Sequence, residues 1–435
     1  MAAPTQQYPA KEIFKALNAL KLNFDISEVD NLYVDFNKVR SDSSFRGLML
    51  HLGILNNEVN ADAGNAKILY TGHTGSGKST ELLKLHHKLN QPNQYFSVYL
   101  DVDDYIQISD FKSEDLLVLL ITSLVNALEE QNIDYLVPGL EKIAHDWLSD
   151  KEVNEEVKKK IETEGGVSAE LSTGSILKFF SAKAFVKSVF SYGSHTSEFV
   201  RRKIVERQGD YIVSFNLALT ELRNQIRRAG KGREIVFIID GLEKLRWGKY
   251  DTYTQTFYQN ERLISDLNCS ILCCVPIDTL YDAKTSPILS RYHQYTLPLI
   301  PINSNTRHLF SEIVSRRIDK NTFFEDGVLD YCVQQSGGSP RQLIRIVGDA
   351  LTKSEANNFK ISMETAQKSC NKIGLDLQRR LTSPQFEALK NGDYNHADPI
   401  ILDLLFSLSL MEYNGEQNNR QPNPLLIPFL TDAAN

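Results

Sequence analysis

Residues 70–85 read YTGHTGSGKSTELLKL, and this stretch decides the fold. The spacing Gly72-x-x-x-x-Gly77-Lys78-Ser79 is the phosphate-loop pattern, preceded by an apolar run (residues 66–70) that reads as a strand and followed by an amphipathic run that reads as a helix. That context makes it far more specific than a bare match. Glycines allow left-handed backbone, so that successive N–H groups converge on an anion, and the helix start adds partial positive charge. Lys78 is expected to reach the β- and γ-phosphates of ATP, and the Ser79 hydroxyl to ligate Mg²⁺. The nucleotide cradle is expected to run through Gly72, His73, Thr74, Gly75, Ser76, Gly77, Lys78, Ser79 and Thr80, with His73 and Thr74 at variable loop positions.

Outward from the loop, YFSVYLDV (95–102), the apolar run ending at Asp240 in REIVFIIDGLEKL (233–245), CSILCCVPIDTLY (269–281) and YHQYTLPLI (292–300) read as four further strands. Helical patterns separate them, which predicts an α/β fold, a parallel sheet with helices on both faces. More than a hundred residues lie between the second and third strands, where one crossover helix would suffice, so an insertion is expected. Its charged part, 149–166, reads as a solvated helix or linker. The stretch 171–193, LSTGSILKFFSAKAFVKSVFSYG, interleaves lysines and phenylalanines without an acid. It reads as an ordinary packed insertion, with a partner-binding or membrane-surface element as the alternatives. From about residue 301 the pattern is helical. The C-terminal stretch joins a helix (398–413) to a polar Asn/Gly/Pro turn and LLIPFL, the order of a winged helix.

The chain has 435 residues, enough for two or three domains, with 42% hydrophobic and 24% charged residues, proportions ordinary for a globular protein. A net charge of −7 gives no global attraction for nucleic acid or anionic membrane. The longest apolar stretch, 399–411, is interrupted by Asp403 and too short to span a bilayer. No secretory signal opens the chain, and five cysteines without zinc or disulfide spacing read as buried thiols in a reducing cytoplasm.

Asp240, at the carboxyl end of an apolar strand, stands where an acid would hold Mg²⁺. Glu243, three residues on, is the nearest candidate to orient a water; a surface turn glutamate is its plain alternative. Arg341 follows the breakers of SGGSPRQL (336–343), where it could approach the phosphates from a second subdomain. Arg291, just before the fifth strand, reads equally as a finger for a neighbour's nucleotide or as an internal salt bridge.

Together these motifs resemble the AAA+/STAND branch of phosphate-loop ATPases: GHTGSGKST its Walker A, FIIDGLEKL its Walker B, CCVPIDTLY its sensor-1 strand, SRYHQY its arginine-finger box, SGGSPRQL its sensor 2. The resemblance spans residues 31–350 and extends to bacterial stand-alone ATPases, some found in genome-defence systems, and to origin-recognition-type initiators. It implies an adenine-side segment at 1–45, an ATPase core at 46–300 with an insertion at about 135–205, a helical lid at 301–375 and a winged-helix-like module at 376–435. Two departures matter. Gly241 occupies the place where most AAA+ proteins carry the catalytic glutamate, and Pro276-Ile277-Asp278 replaces the usual sensor-1 Asn or Thr. Both favour slow, gated hydrolysis.

The leading expectation is therefore an ATP-dependent switch acting on a protein effector or on further copies of itself. A DNA-binding initiator is the second reading. Residues 376–435 carry four bases against eight acids, a net of −4, the wrong sign for phosphate. Better basic candidates are Arg201, Arg202, Lys203 and Arg207, or Arg223, Arg227, Arg228 and Lys231, both on expected helices that read equally as solvated faces. A small-molecule kinase is the third reading.

Overall fold

The computed structural model describes residues 10–20, 29–36, 39–40, 43–60, 65–107, 109–156, 159, 194–248, 256, 260–281, 290–392, 394, 398–414 and 419–431. The lysine- and phenylalanine-bearing stretch 171–193 lies outside them.

Five strands, β1 (Lys67–Gly72), β2 (Tyr95–Asp101), β3 (Glu234–Asp240), β4 (Ser270–Cys274) and β5 (His293–Leu297), form one parallel sheet in the order β2-β3-β4-β1-β5. Both faces are covered at β1 to β4, which is why they read as largely apolar runs, whereas the edge strand β5 exposes His293 and Gln294. Helix α1 (Lys78–Leu89) follows the phosphate loop and covers one face: its Leu82, Leu85 and Leu89 pack with Ile68, Val236, Ile238 and Leu272. On the other face Leu69, Val98, Phe237 and Ile271 join a core with α2 (Asp115–Glu130) and the insertion helices α3 (Pro138–Trp147), α4 (His195–Glu206) and α5 (Gln208–Arg228). Side chains alternate between faces along a strand; hence the adjacent thiols Cys273 and Cys274 enter opposite cores.

The insertion is locked to the core. Helices α3 and α5 cross so closely that a Cβ on Gly139 would stand 2.3 Å from the Ser214 carbonyl oxygen. Arg201, read above as a basic candidate, is buried and donates to both carboxylate oxygens of the buried Asp115, at 2.7 and 2.6 Å. Three of the other candidates are also paired: Arg207 with Asp146 and Asp210, and Arg223 and Arg227 with Glu234. Acids thus neutralise four of the eight basic candidates.

Beyond the sheet, α6 (Arg307–Ser315), α7 (Val328–Gln335), α8 (Pro340–Lys353) and α9 (Met363–Gln378) build a helical unit around Phe310, Val328, Val333, Leu343, Ile346 and Val347. The C-terminal module follows, with α10 (Ser383–Asn391), α11 (Pro399–Phe406) and an antiparallel pair, β6 (Leu410–Glu412) and β7 (Arg420–Pro422), in winged-helix-like order. Thr382 and Gln385 form a capping box on α10, and Asp398 caps α11. All five cysteines are free and buried. No helix among the described residues is long and apolar enough to cross a membrane.

Candidate functional site

The strand order builds the site. In a parallel sheet the loops after β1, β3 and β4 open at one edge, the carboxyl ends where α/β sheets hold ligands. Because β4 lies between β1 and β3, with Tyr70 opposite Cys274 and Ile239 opposite Cys273, the end of β4 sits between the phosphate loop and Asp240.

Gly75 (φ 80°) and Gly77 (φ 97°) take left-handed backbone, which side-chain-bearing residues rarely adopt. Lys78 is buried, and its ammonium donates to the Gly72 and His73 carbonyls of its own loop at 2.9 and 3.1 Å. The Ser76 hydroxyl oxygen is buried without a partner. Ser79 is exposed on the first turn of α1. A curled loop with an inward ammonium and an orphaned hydroxyl fits a phosphate chain.

Asp240 is 2% exposed and accepts hydrogen bonds from the Tyr99 hydroxyl at 2.8 Å and from its neighbour's N–H, that of Gly241, at 2.9 Å. Gly241 has φ 91°, and a Cβ there would stand 2.9 Å from Asp101 Oδ1. A glutamate here would strain the backbone and push the Asp101 carboxylate aside. Glu243 stands in the 3₁₀ turn Leu242–Lys244. One oxygen each of Asp240 and Glu243 lies within 4.8 Å of the other and of Cys274 Sγ. Glu243 Oε2 is buried with no hydrogen-bond partner. Burial first, then the Asp240 charge, raise the Glu243 carboxyl above the ordinary glutamate range, with Lys78 opposing. Such a group holds or takes a proton more readily than a surface carboxylate.

Arg341 comes to the loop from the lid. Its N–H donates to the Gly75 carbonyl at 3.3 Å, and a Cβ on Gly75 would stand 2.7 Å from that of Arg341. Ser339 caps α8 by accepting from the Gln342 N–H and donates its hydroxyl to the same Gly75 carbonyl at 3.3 Å. The Arg341 side chain is exposed and engaged by no group among the described residues. Arg291 is elsewhere. With His293 opposite Ile68, it stands level with residue 66, six residues or ~20 Å along the sheet from Gly72. It is 61% exposed and pairs with Glu261 at 2.9 Å.

His73 and Thr74, expected as variable positions, are engaged by the C-terminal module. His73 is 1% exposed; its Nδ1–H donates to the Leu405 carbonyl at 3.1 Å, and its Nε2 accepts from the Glu412 N–H at 2.8 Å. Thr74 Oγ1 donates to the Phe406 carbonyl at 3.4 Å. Burial pushes the His73 pKa down to about 3; Lys78 and Arg420 push the same way, and only the Leu405 carbonyl opposes. Arg246, three residues beyond Glu243, donates to Asp278 at 2.7 Å and to Asp403 of α11 at 2.9 Å. β4 ends at Cys274, short of the Pro276-Ile277-Asp278 stretch, and Asp278 serves a bridge through Arg246 to the C-terminal module. The lid is joined too, through the reciprocal Gln342–Asn423 amide pair at 3.0 and 2.9 Å and the Tyr413 hydroxyl on the Gly337 carbonyl at 2.9 Å. Glu412 and Arg420, each with a side chain 1% exposed, form a buried ion pair that holds the two-stranded wing closed.

Tyr99, Cys274 and Arg246 escaped the sequence reading. Only the length and end of each strand were legible, not which strands are neighbours.

No family model matches the chain, and no curated protein matches it. Among solved structures it is similar to Cdc6p of Pyrobaculum aerophilum, at 14% identity over 85% of this chain and 76% of that one, with a TM-score of 0.38. It is also similar to the ADP form of the Aeropyrum pernix ORC2 protein, at 11% identity over 95% of each chain, TM-score 0.38. At that overlap the likeness carries no weight for function, which rests on the residues above.

Proposed function

We propose that this chain is an AAA+-type ATP-binding switch whose C-terminal module reads the state of the phosphate loop. The carrying observation is that both ring nitrogens of His73, a loop residue, are held by the C-terminal module. Lys78 and the loop N–H groups would hold the phosphates, Ser79 and Asp240 the Mg²⁺, and Glu243 would orient a water, with Arg341 facing the nucleotide from the lid. Bound Mg²⁺-ATP supplies a cleavable anhydride whose charge the metal partly neutralises. Any rearrangement of residues 73–74 around phosphate moves groups to which α11 and β6 are bonded, giving two discrete arrangements that a ligand can bias. Turnover in this reading is slow, because the water-orienting acid sits on a 3₁₀ turn rather than directly after the metal acid. The output is a protein effector or further copies of the chain, in a cytoplasmic and, by the sequence resemblance, genome-defence setting that the neighbouring genes would test.

The test compares amide-hydrogen exchange of α11 and β6 with and without Mg²⁺-ATP. Faster exchange on binding is expected in the native protein and not in Lys78→Ala. Unchanged exchange with demonstrated ATP binding would reduce the docking to a static interface. An initiator-type role has less support: the C-terminal module is acidic, and four of the best basic residues are spent on internal pairs.

A further inference from the structure

We propose that Asp240, Glu243 and Cys274 form a binding site for a thiophilic divalent cation, of the zinc and cadmium class, at the place where the ATP-bound Mg²⁺ would otherwise be held.

Three donors from three positions, the ends of β3 and β4 and the 3₁₀ turn, bring their ligand atoms within 4.8 Å of one another. That is the donor count of an open tetrahedral zinc site, three protein ligands with one position free. The thiol changes the metal preference. Mg²⁺ takes oxygen ligands in a near-ideal octahedron, whereas soft sulfur donors select zinc-like ions.

A further feature points to a ligand. Glu243 Oε2 is buried without a hydrogen-bond partner, an orphan that a cation would satisfy. The nearby Lys78 ammonium is engaged by the Gly72 and His73 carbonyls. Glu243 remains partly exposed while Cys274 is 0% exposed, so entry is from the glutamate side. On binding, the Sγ–H bond breaks, its proton goes to solvent and a metal–sulfur bond forms; no electrons change hands. The metal and Mg²⁺-ATP compete for Asp240, so the ion holds the switch in its nucleotide-free arrangement. This competition rests on the function proposed above; the metal site itself does not.

The experiment titrates the nucleotide-free, full-length protein with Cd²⁺ and follows the sulfur-to-cadmium charge-transfer absorbance. One Cd²⁺ per chain is expected. Cys274→Ser should abolish the band and weaken binding by on the order of tenfold or more, and Glu243→Gln should weaken it with the band retained. Cys273→Ser, one residue away but in the opposite core, should leave the titration unchanged. A band that survives Cys274→Ser, or no band in the folded native protein, overturns the site. Separately, Mg²⁺-ATP should displace Cd²⁺ from the native protein. Cadmium bound through Cys274 in a chain that fails to bind ATP would keep the metal site and remove the nucleotide reading.

Discussion

At the scale of single residues, the phosphate loop makes the sharpest demand. Lys78 is the buried cation of the loop, and its present partners are loop carbonyls that a phosphate outcompetes. Lys78→Ala should lower ATP affinity by at least tenfold while leaving the fold intact; isothermal titration with unchanged affinity would remove the nucleotide assignment. Glu243→Gln keeps the size of the side chain but removes its charge, so ATP should still bind while turnover falls by 10²-fold or more, roughly the worth of a general base. Hydrolysis at the native rate would place the base elsewhere. His73 sets a pH dependence. An unfolded histidine titrates near 6.5, whereas His73 stays neutral to about 3, so between those values only the unfolded chain binds the proton. Stability should fall as pH drops below about 6.5, with a share from His73 of up to about 1.4 kcal/mol per pH unit. His86, pushed down to about 4 by burial, adds a second share of the same sign. Urea unfolding at pH 7 and pH 5 should therefore show a smaller loss in His73→Asn than in the native protein. Equal losses would show that the buried ring is not held neutral.

At the scale of elements, two arginines do different jobs. Arg201 carries α4 onto the start of α2 through a fully buried carboxylate. Removing it strands the Asp115 charge, and Arg201→Ala should cost roughly 3–5 kcal/mol in chemical denaturation; a loss below 1 kcal/mol would mean that Asp115 takes up a proton or water instead. Arg246 joins the turn after β3 to α11 while keeping a side chain 21% exposed. Arg246→Ala should hardly change global stability but should raise proteolytic access to the C-terminal module in the absence of nucleotide. Equal cleavage in both proteins would mean that the module is held by its other fastenings, at His73, Thr74, Tyr413 and Asn423. The elements themselves were largely legible beforehand. β1 to β4 were found by their apolar runs because both faces of the parallel sheet are covered there, and the edge strand β5, with His293 and Gln294 exposed, from the stretch YHQYTLPLI. The docking of α11 was not, since a helix carries no record of which loop its last carbonyls will meet.

At the scale of the whole molecule, the open matter is whether one chain suffices. Arg291 lies at the opposite end of β5 from the phosphate loop, so it cannot serve its own nucleotide, and it is exposed enough to leave Glu261 for another acceptor. If subunits assemble head to tail, mixing Arg291→Ala with Lys78→Ala should restore part of the turnover that each lacks, because intact loops then meet intact arginines. Normal turnover in Arg291→Ala alone, with monomers in sedimentation with and without ATP, would make this arginine a structural ion pair.

The sequence by itself determined the phosphate loop, the strands around it, the acid at the end of β3 and the layered α/β class, because each rests on local spacing and on periodicity that backbone geometry imposes. It also determined that Gly241 displaces the usual acid. Only the tertiary structure decided the rest: that β4 stands between β1 and β3 and so brings Cys274 to Asp240, that Tyr99 holds Asp240 from the next strand, that Arg201 is spent on Asp115, and that His73 belongs to the C-terminal module as much as to its own loop. These are contacts between residues 34 to 339 positions apart. Strand order and docking follow from how whole faces pack together, and no local pattern encodes that.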